Sequence, residues 1–474
     1  MPTAAGPVAH ARTSHLPRQT REVLPTVPCP RPAGSQPTAS TIIVRSRRGS
    51  AAIEIHSEFM TFRATKLATF GSALVLAFPI LLLCVPRGAG IFLAAVVVLA
   101  LCAGHGMTKT WGTYRELLYP VGLAVLALIV VYLGSKLYFG TPWDVIDNPS
   151  RILLALLACL VVMRTAPDPR AIWHGITIAL VVSLVIVAIQ RYALGEDRPS
   201  AWTQAIAFAN MVAALGLVGF AQPGSSRCAH ALAWANLSLA AAILILNGTR
   251  GATLAMLLTA IPLLFVRYRG LSSARFFAAI ALVAALGTGL YMIPHSPVAQ
   301  KIDEVRSNIG RFEKGDAETS VGARLKMWRI AAESITRHPW MGVGIGQFAR
   351  ILHASDFCEG SKSEVCNMEH AHNDVLESAA TTGLPGMLAL LGIFLIPGAL
   401  FLRTLRLCCS HDNALGVSLS AAGLGVVMAS LISGLTQVTM AHQANIVFYA
   451  GAIGLLLGLA GVQAKHPRAD GANT

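Results

Sequence analysis

Apolar residues in this chain run in long unbroken stretches; they do not alternate with polar ones. Such stretches lie at about 67–85, 89–104, 117–135, 148–164, 171–189 and 201–221, then at about 228–246, 250–266, 274–294, 384–402, 413–434 and 443–463. Most are long enough to cross a hydrocarbon layer of ~30 Å as a helix. Backbone groups in such a layer must pair within the chain, which leaves helices or a closed barrel, and continuous runs select helices. The pattern predicts an all-α, polytopic integral membrane protein with about 12 transmembrane helices, the second and fourth being the weakest and shortest.

Composition agrees. Of 474 residues, 54% are hydrophobic and only 13% charged, and the mean hydropathy is +0.60. Soluble domains carry about 25% charged residues, so this chain has too little polar surface to cover a water-facing fold. The net charge of +14 does not point to nucleic acid, because the Lys and Arg residues sit between apolar spans and line no single face. Their distribution sets orientation. With the amino terminus inside, the short outer segments hold Arg87, Lys136, Arg151, Arg191, Arg198 and Arg250, whereas the inner segments hold more than twice as many. Both termini are then cytoplasmic.

Residues 1–60, rich in Pro, Arg, Ser and Thr, read as a disordered cytoplasmic tail. Met60, followed by a short basic stretch and the first span, also looks like a natural start. The expected organisation is nine transmembrane helices within 61–294, a periplasmic loop domain at 295–383, three more helices within 384–463 and a cytoplasmic tail at 464–474. The loop is too long for a connector. Within it, Leu325, Trp328, Ala332 and Ile335 recur at helical spacing, and a Gly-Pro-Gly cluster at 383–386 should divide a short helix (about 373–382) from the next span.

Four outer-side features can carry chemistry. Asn247-Gly-Thr-Arg250-Gly places an arginine in a Gly-rich turn between two spans. Arg250 is either a snorkelling interfacial residue or a fork for a phosphate, and the glycines indicate close backbone approach to another segment. Gly322-Ala-Arg324 is either part of a surface amphipathic helix or a second phosphate-binding cation. Glu369-His370-Ala-His372-Asn373-Asp374 offers an imidazole base, with a pKa that nearby arginines would lower. A metal is the weaker reading of His-x-His, because a helical pair prefers i, i+4 and a third ligand is lacking. Arg191 is a further anion contact or an interface anchor. His370 can support His372, Glu369 and Asp374 can orient the imidazole, and Asp374 can equally cap a helix. Of nine cysteines, none shows zinc-finger spacing, and Cys84, Cys102 and Cys159 read as small core residues. Cys358 and Cys366, in a loop expected on the oxidising side, should form a disulfide that pins it.

Arg250-x-x-x-Leu254, and His372-Asn373 followed after nine residues by Gly383-x-x-Gly386, resemble the signature patterns of the O-antigen ligase family. Gly322-x-Arg324 and His338-Pro-x-x-Gly-x-Gly resemble the wider ligase/polymerase superfamily. The resemblance implies a glycosyltransferase of the cell inner membrane whose active site faces the periplasm. Its donor would be an undecaprenyl-pyrophosphate-linked glycan and its acceptor a sugar hydroxyl of lipid A–core, with membrane lipids around it and no cofactor. It further implies His372 as base and Arg250 and Arg324 as holders of the donor pyrophosphate. An O-antigen polymerase uses similar residues. A protein O-oligosaccharyltransferase would be expected to continue past the last span into a soluble region, whereas this chain stops some eleven residues after span twelve. A transporter would carry ionisable residues at mid-membrane, which these spans almost lack.

Overall fold

The computed structural model describes residues 47–268, 319–359 and 363–465, with Asp303, Arg306, Ser307 and Gly310 between them, and side chains from Lys66 onward. Residues 1–57 form a separate unit from 58–474, and apart from the first residues of α1 everything below concerns the second. The expected span at 274–294, most of the 1–60 tail and the 466–474 tail lie outside the described residues.

Among the described residues the chain is all-helical, without strands. In order, the helices are α1 (Arg47–Cys84), α2 (Gly88–Ala103), α3 (Met107–Phe139), α4 (Asp144–Ser150), α5 (Leu153–Thr165), α6 (Ala171–Tyr192), α7 (Ala205–Phe220), α8 (Arg227–Asn247), α9 (Arg250–Arg267), α10 (Ser320–Arg337), α11 (Phe348–His353), α12 (Asp374–Ser410), α13 (Ala414–Gly434) and α14 (Gln443–Lys465). Among the described residues, nine helical segments are long and apolar enough to cross a membrane, and α2 and α7 are shorter apolar helices. This is a multi-pass membrane protein.

Several boundaries differ from the sequence reading. α1 starts at Arg47, inside the stretch read as a disordered tail, because no proline interrupts the chain until Pro79 and residues 51–60 include good helix formers. α3 starts at Met107, ten residues before the expected 117, with a local break at Tyr114 (φ −114°, ψ 20°). The fourth span is divided into α4 and α5 beside Pro149.

The last helix is the axis of the bundle: 94% of its apolar window is buried. Gly454 and Gly458 let it lie directly on α5, where a Cβ at 454 would stand 2.5 Å from the Ala155 carbonyl oxygen. Small residues at i, i+4 are the usual means by which membrane helices approach closely.

α10 and α11 form a second, smaller core. Met327, Ile330 and Ala331 pack with Phe348, Leu352, Val365, Ala371 and Ala380. The helix agrees with the sequence reading, but the residues that marked its spacing are not the ones it buries. Ala332 is exposed and Leu325, Trp328 and Ile335 are only half-buried. The partner surface is set by α11 and the start of α12, which local spacing cannot disclose. Cys358 and Cys366 are disulfide-bonded (Cα–Cα 5.7 Å) beside this core.

α12 breaks at Gly383 (φ 71°, ψ −173°). Pro385 has no N–H, so the Thr381 carbonyl loses its helical partner. The 338–344 stretch repairs the break. Val343 N–H donates to Ala380 O (3.1 Å), Gly344 N–H to Thr381 O (2.8 Å), and Leu384 N–H to Pro339 O (2.8 Å). Gly342 (φ 61°) must be glycine here, since a Cβ would lie 2.4 Å from the Thr381 carbonyl carbon. The two Gly/Pro motifs read separately in the sequence are therefore one joint.

Candidate active site

The site is built ahead of this break, at the amino-terminal end of α12, where three chain-distant segments meet: the α8–α9 turn, residues 370–374 before α12, and the 435–442 connection between α13 and α14. The last is the hub. Asn373 caps α12, its Oδ1 accepting from Val375 N–H (3.0 Å) and Leu376 N–H (3.1 Å), while its Nδ2 donates to Leu435 O (3.0 Å). Asp374 is thus not the cap. Its carboxylate instead accepts from Thr439 N–H (2.8 Å), Met440 N–H (3.2 Å) and the Thr439 hydroxyl (2.5 Å), clamping the connection onto α12.

On the other flank, Gly251 follows Arg250 at the start of α9, and a Cβ there would stand 2.8 Å from Thr436 Oγ1. This is the close approach that the Gly-rich turn called for. Its other glycine, Gly248 (φ 75°), ends α8 in the left-handed conformation that glycine tolerates best. The next residue of the connection, Gln437, presents Oε1 3.4 Å from His372 Nδ1. One short segment therefore touches both the Arg250 turn and the imidazole.

His372 itself has φ 51°, in the sparsely populated left-handed region, held there by the bonds that fix Asn373 and Asp374. An amide oxygen only accepts, so Gln437 sets the His372 tautomer with the proton on Nδ1 and an open lone pair on Nε2. Gln437, not Glu369 or Asp374, orients this ring. Burial pushes the His372 pKa below the ordinary imidazole value, Arg324 and His370 adding to the shift, against the opposing effects of Gln437 and Glu377. His370 goes the other way. Burial pulls it down, but Glu377, with Glu369 and Asp374, lifts it net above the ordinary value. Its Nδ1 lies 3.5 Å from Glu377 Oε1, and Glu377 Oε2 accepts from Ala371 N–H (2.7 Å). His442 is held below the usual value by burial and by the charges of His370 and His372.

The arginines converge. Burial lowers the Arg324 pKa, and the nearby charges of Arg250 and Arg198 lower it further, while Arg324 in turn acts on His372. Arg198 was counted among outer charges but not read as a site residue. It is fixed by donating from Nη2 to Thr249 Oγ1 (3.0 Å), which donates to Asn247 Oδ1 (2.5 Å); Asn247 Nδ2 donates back to Pro199 O (2.8 Å). The Asn247-Gly-Thr turn thus anchors the loop that carries Arg198. Arg191 donates to the carbonyls of Glu196 (3.1 Å) and Asp197 (3.0 Å) of that loop. Among the described residues no group of three or more His, Cys, Asp or Glu side chains is arranged to hold a metal ion.

A cavity of ≈380 Å³ opens beside His370, lined by Tyr132, Asp144, Glu369, His370, Glu377 and Met440 among others. His372 thus feels a guanidinium charge, whereas its neighbour His370 feels carboxylates. Of the residues sequence reasoning missed, Arg198, Glu377, Gln437 and His442, only Arg198 left a trace, as an outer-segment cation.

Fold and site together define a multi-pass membrane protein with a cluster of arginine and histidine side chains brought together by the connections between its helices. The family model of O-antigen ligase matches residues 235–391, a segment that holds Arg250, Arg324, His370, His372 and the α12 joint, so the resemblance to that family is shown over the part of the chain where most of the site lies. An uncharacterized protein of Haemophilus influenzae is 24% identical over 314 residues, 65% of this chain and 78% of that protein. The O-antigen ligase of Escherichia coli K12 is 23% identical over 163 residues, 32% of this chain and 36% of that protein's length.

Proposed function

We propose that this chain is an O-antigen ligase of the cell inner membrane. It would transfer polysaccharide from undecaprenyl pyrophosphate to a sugar hydroxyl of lipid A–core at the periplasmic face. The observation that carries this reading is the convergence of Arg198, Arg250 and Arg324 beside a neutral, tautomer-fixed imidazole. His372 Nε2 takes the acceptor hydroxyl proton. The resulting oxygen attacks the anomeric carbon, the bond to the pyrophosphate oxygen breaks, and its electron pair leaves on undecaprenyl pyrophosphate. Arginine cannot donate a proton at this pH, so the guanidinium groups act by charge stabilisation, which a diphosphate leaving group needs most. Attack opposite the leaving group inverts the anomeric configuration, and no metal takes part. Arg191 is reassigned from donor contact to positioning, since it holds the loop that carries Arg198. His370, whose pKa burial lowers and Glu377 raises to a net increase, lines the carboxylate-bearing cavity two residues from the base.

The test is His372→Ala in native membranes. Transfer should fall by about 10²–10⁴-fold while the protein remains inserted, with glycan accumulating on the lipid carrier. Wild-type turnover would remove the assigned base. Lipopolysaccharide gels of a deletion strain separate ligase from polymerase: uncapped core means ligase, core bearing a single repeat means polymerase.

A further inference from the structure

α10 presents two cationic faces. At about 100° per residue, Arg324 points toward Arg250 and His372, whereas Lys326, Arg329 and Arg337 project roughly 140–160° away from it. That second face lines a separate cavity of ≈710 Å³, closed on its far wall by Arg350 and Asp356 of the α11 region. Arg329 is paired with Glu333 (3.3 Å), and Lys326 lies over the Phe357 ring at 4.5 Å. Lys326, Arg329, Arg337 and Arg350 outnumber the lining carboxylates Glu333 and Asp356, so the cavity is net basic.

Its rim identifies the medium. Tyr138 and Phe139, the last residues of membrane helix α3, line the cavity. Tyr138 and the nearby Trp340 are each 70% exposed. Exposed Tyr and Trp at the end of a membrane helix mark headgroup level. The ligand therefore reaches the cavity from the lipid interface and carries anionic groups. The volume lies in the range of small-molecule sites and exceeds the need of a single phosphate. The carboxylates among the cations suit hydroxyl donors and disfavour a purely anionic headgroup.

We infer that the cleft between the outer face of α10 and α11 binds the phosphorylated saccharide headgroup of the acceptor lipid, with Arg337 and Arg350 on its phosphates. This assignment rests on the reading that the acceptor is a lipid-linked saccharide. It gives the acceptor a holding site on the opposite face of the helix that carries the donor-side Arg324, so the two substrates do not compete for the same cations.

The test is binding without donor, using the full chain in phosphatidylcholine nanodiscs with phosphorylated lipid A–core as probe. Arg337→Gln/Arg350→Gln should weaken binding about tenfold, on the order of one or two lost charge-assisted contacts. Phosphatase treatment of the probe should weaken wild type by the same factor and the variant no further. Arg337→Lys/Arg350→Lys should recover part of the loss, which a merely misfolded double variant would not. Equal affinity in wild type and the Gln variant overturns the assignment. So does displacement of the probe by phosphatidic acid at equal concentration, which would make the cleft a general anionic-lipid site. Because no transfer is measured, phosphate-dependent binding without ligase activity would sink the proposed reaction and leave the cleft standing.

Discussion

α9 carries an arginine at each end, about 26 Å apart by the rise of the helix, and the two ends treat cations in opposite ways. At its carboxyl end Arg267 donates to the carbonyls of Phe220 (3.0 Å), Gln222 (2.7 Å) and Ala229 (3.1 Å) and lies 3.2 Å from His230 Nδ1. Its charge ties the ends of three helices. At the amino end Arg250 stands close enough to Arg324, with Arg198, to lower the pKa of a guanidinium group. Like charges gathered in one place oppose folding, so a fold selected for stability alone has no reason to keep them. The same residue type serves as a staple at one end and, in the proposed function, as a holder of the donor pyrophosphate at the other.

That contrast can be broken. The largest effect on transfer after His372→Ala should come from Arg324→Gln, with turnover falling about 10²–10³-fold in a kinetic assay. Arg250→Lys should cost nearly as much, because an ammonium cannot reproduce a planar fork. Next comes the pH profile. A base works deprotonated, so transfer should decline as pH falls through the His372 pKa. Since that pKa lies below the ordinary imidazole value, the acid limb should appear below about 6.5. Gln437→Glu puts a carboxylate on Nδ1 and should move the limb upward, and Arg324→Gln should do the same by removing a neighbouring positive charge. A limb that stays in place in both variants would separate His372 from the rate. Arg267→Met is the converse case: about 2 kcal/mol of stability lost, read as an earlier thermal transition, with transfer per folded molecule unaltered. Comparable in stability cost, Cys358→Ser/Cys366→Ser should leave turnover near wild type and lower stability by about 2.5 kcal/mol, as expected for so short a closed loop.

The comparison also explains what could be read in the sequence. Apolar spans are local, so eleven of the twelve expected stretches coincide with helices, and the break at Gly383-x-Pro385 followed from residues that cannot continue a helix. Arg250, Arg324 and His372 were visible through short motifs. Gln437 and Glu377 were not, because nothing in Leu-Thr-Gln-Val-Thr-Met marks a glutamine that will meet a histidine 65 positions earlier. The buried face of α10 was not legible for a related reason: helical spacing picks out Leu325, Trp328, Ala332 and Ile335, but Met327 and Ile330 are buried by Phe348 and Leu352, which the heptad around them does not contain. The role of Asp374 was missed because its partners Thr439 and Met440 belong to the other end of the chain.

The near-contact of Gly251 with Thr436 has a practical consequence for anyone re-engineering this protein. The gap between the α9 terminus and the 435–442 connection has room for a hydrogen and not for a methyl. An alanine at 251 would act as a shim, tilting Thr436 and, through the adjoining Gln437, the ring it steers. Swaps of donor-side helices between relatives should therefore be cut elsewhere, leaving this seam intact.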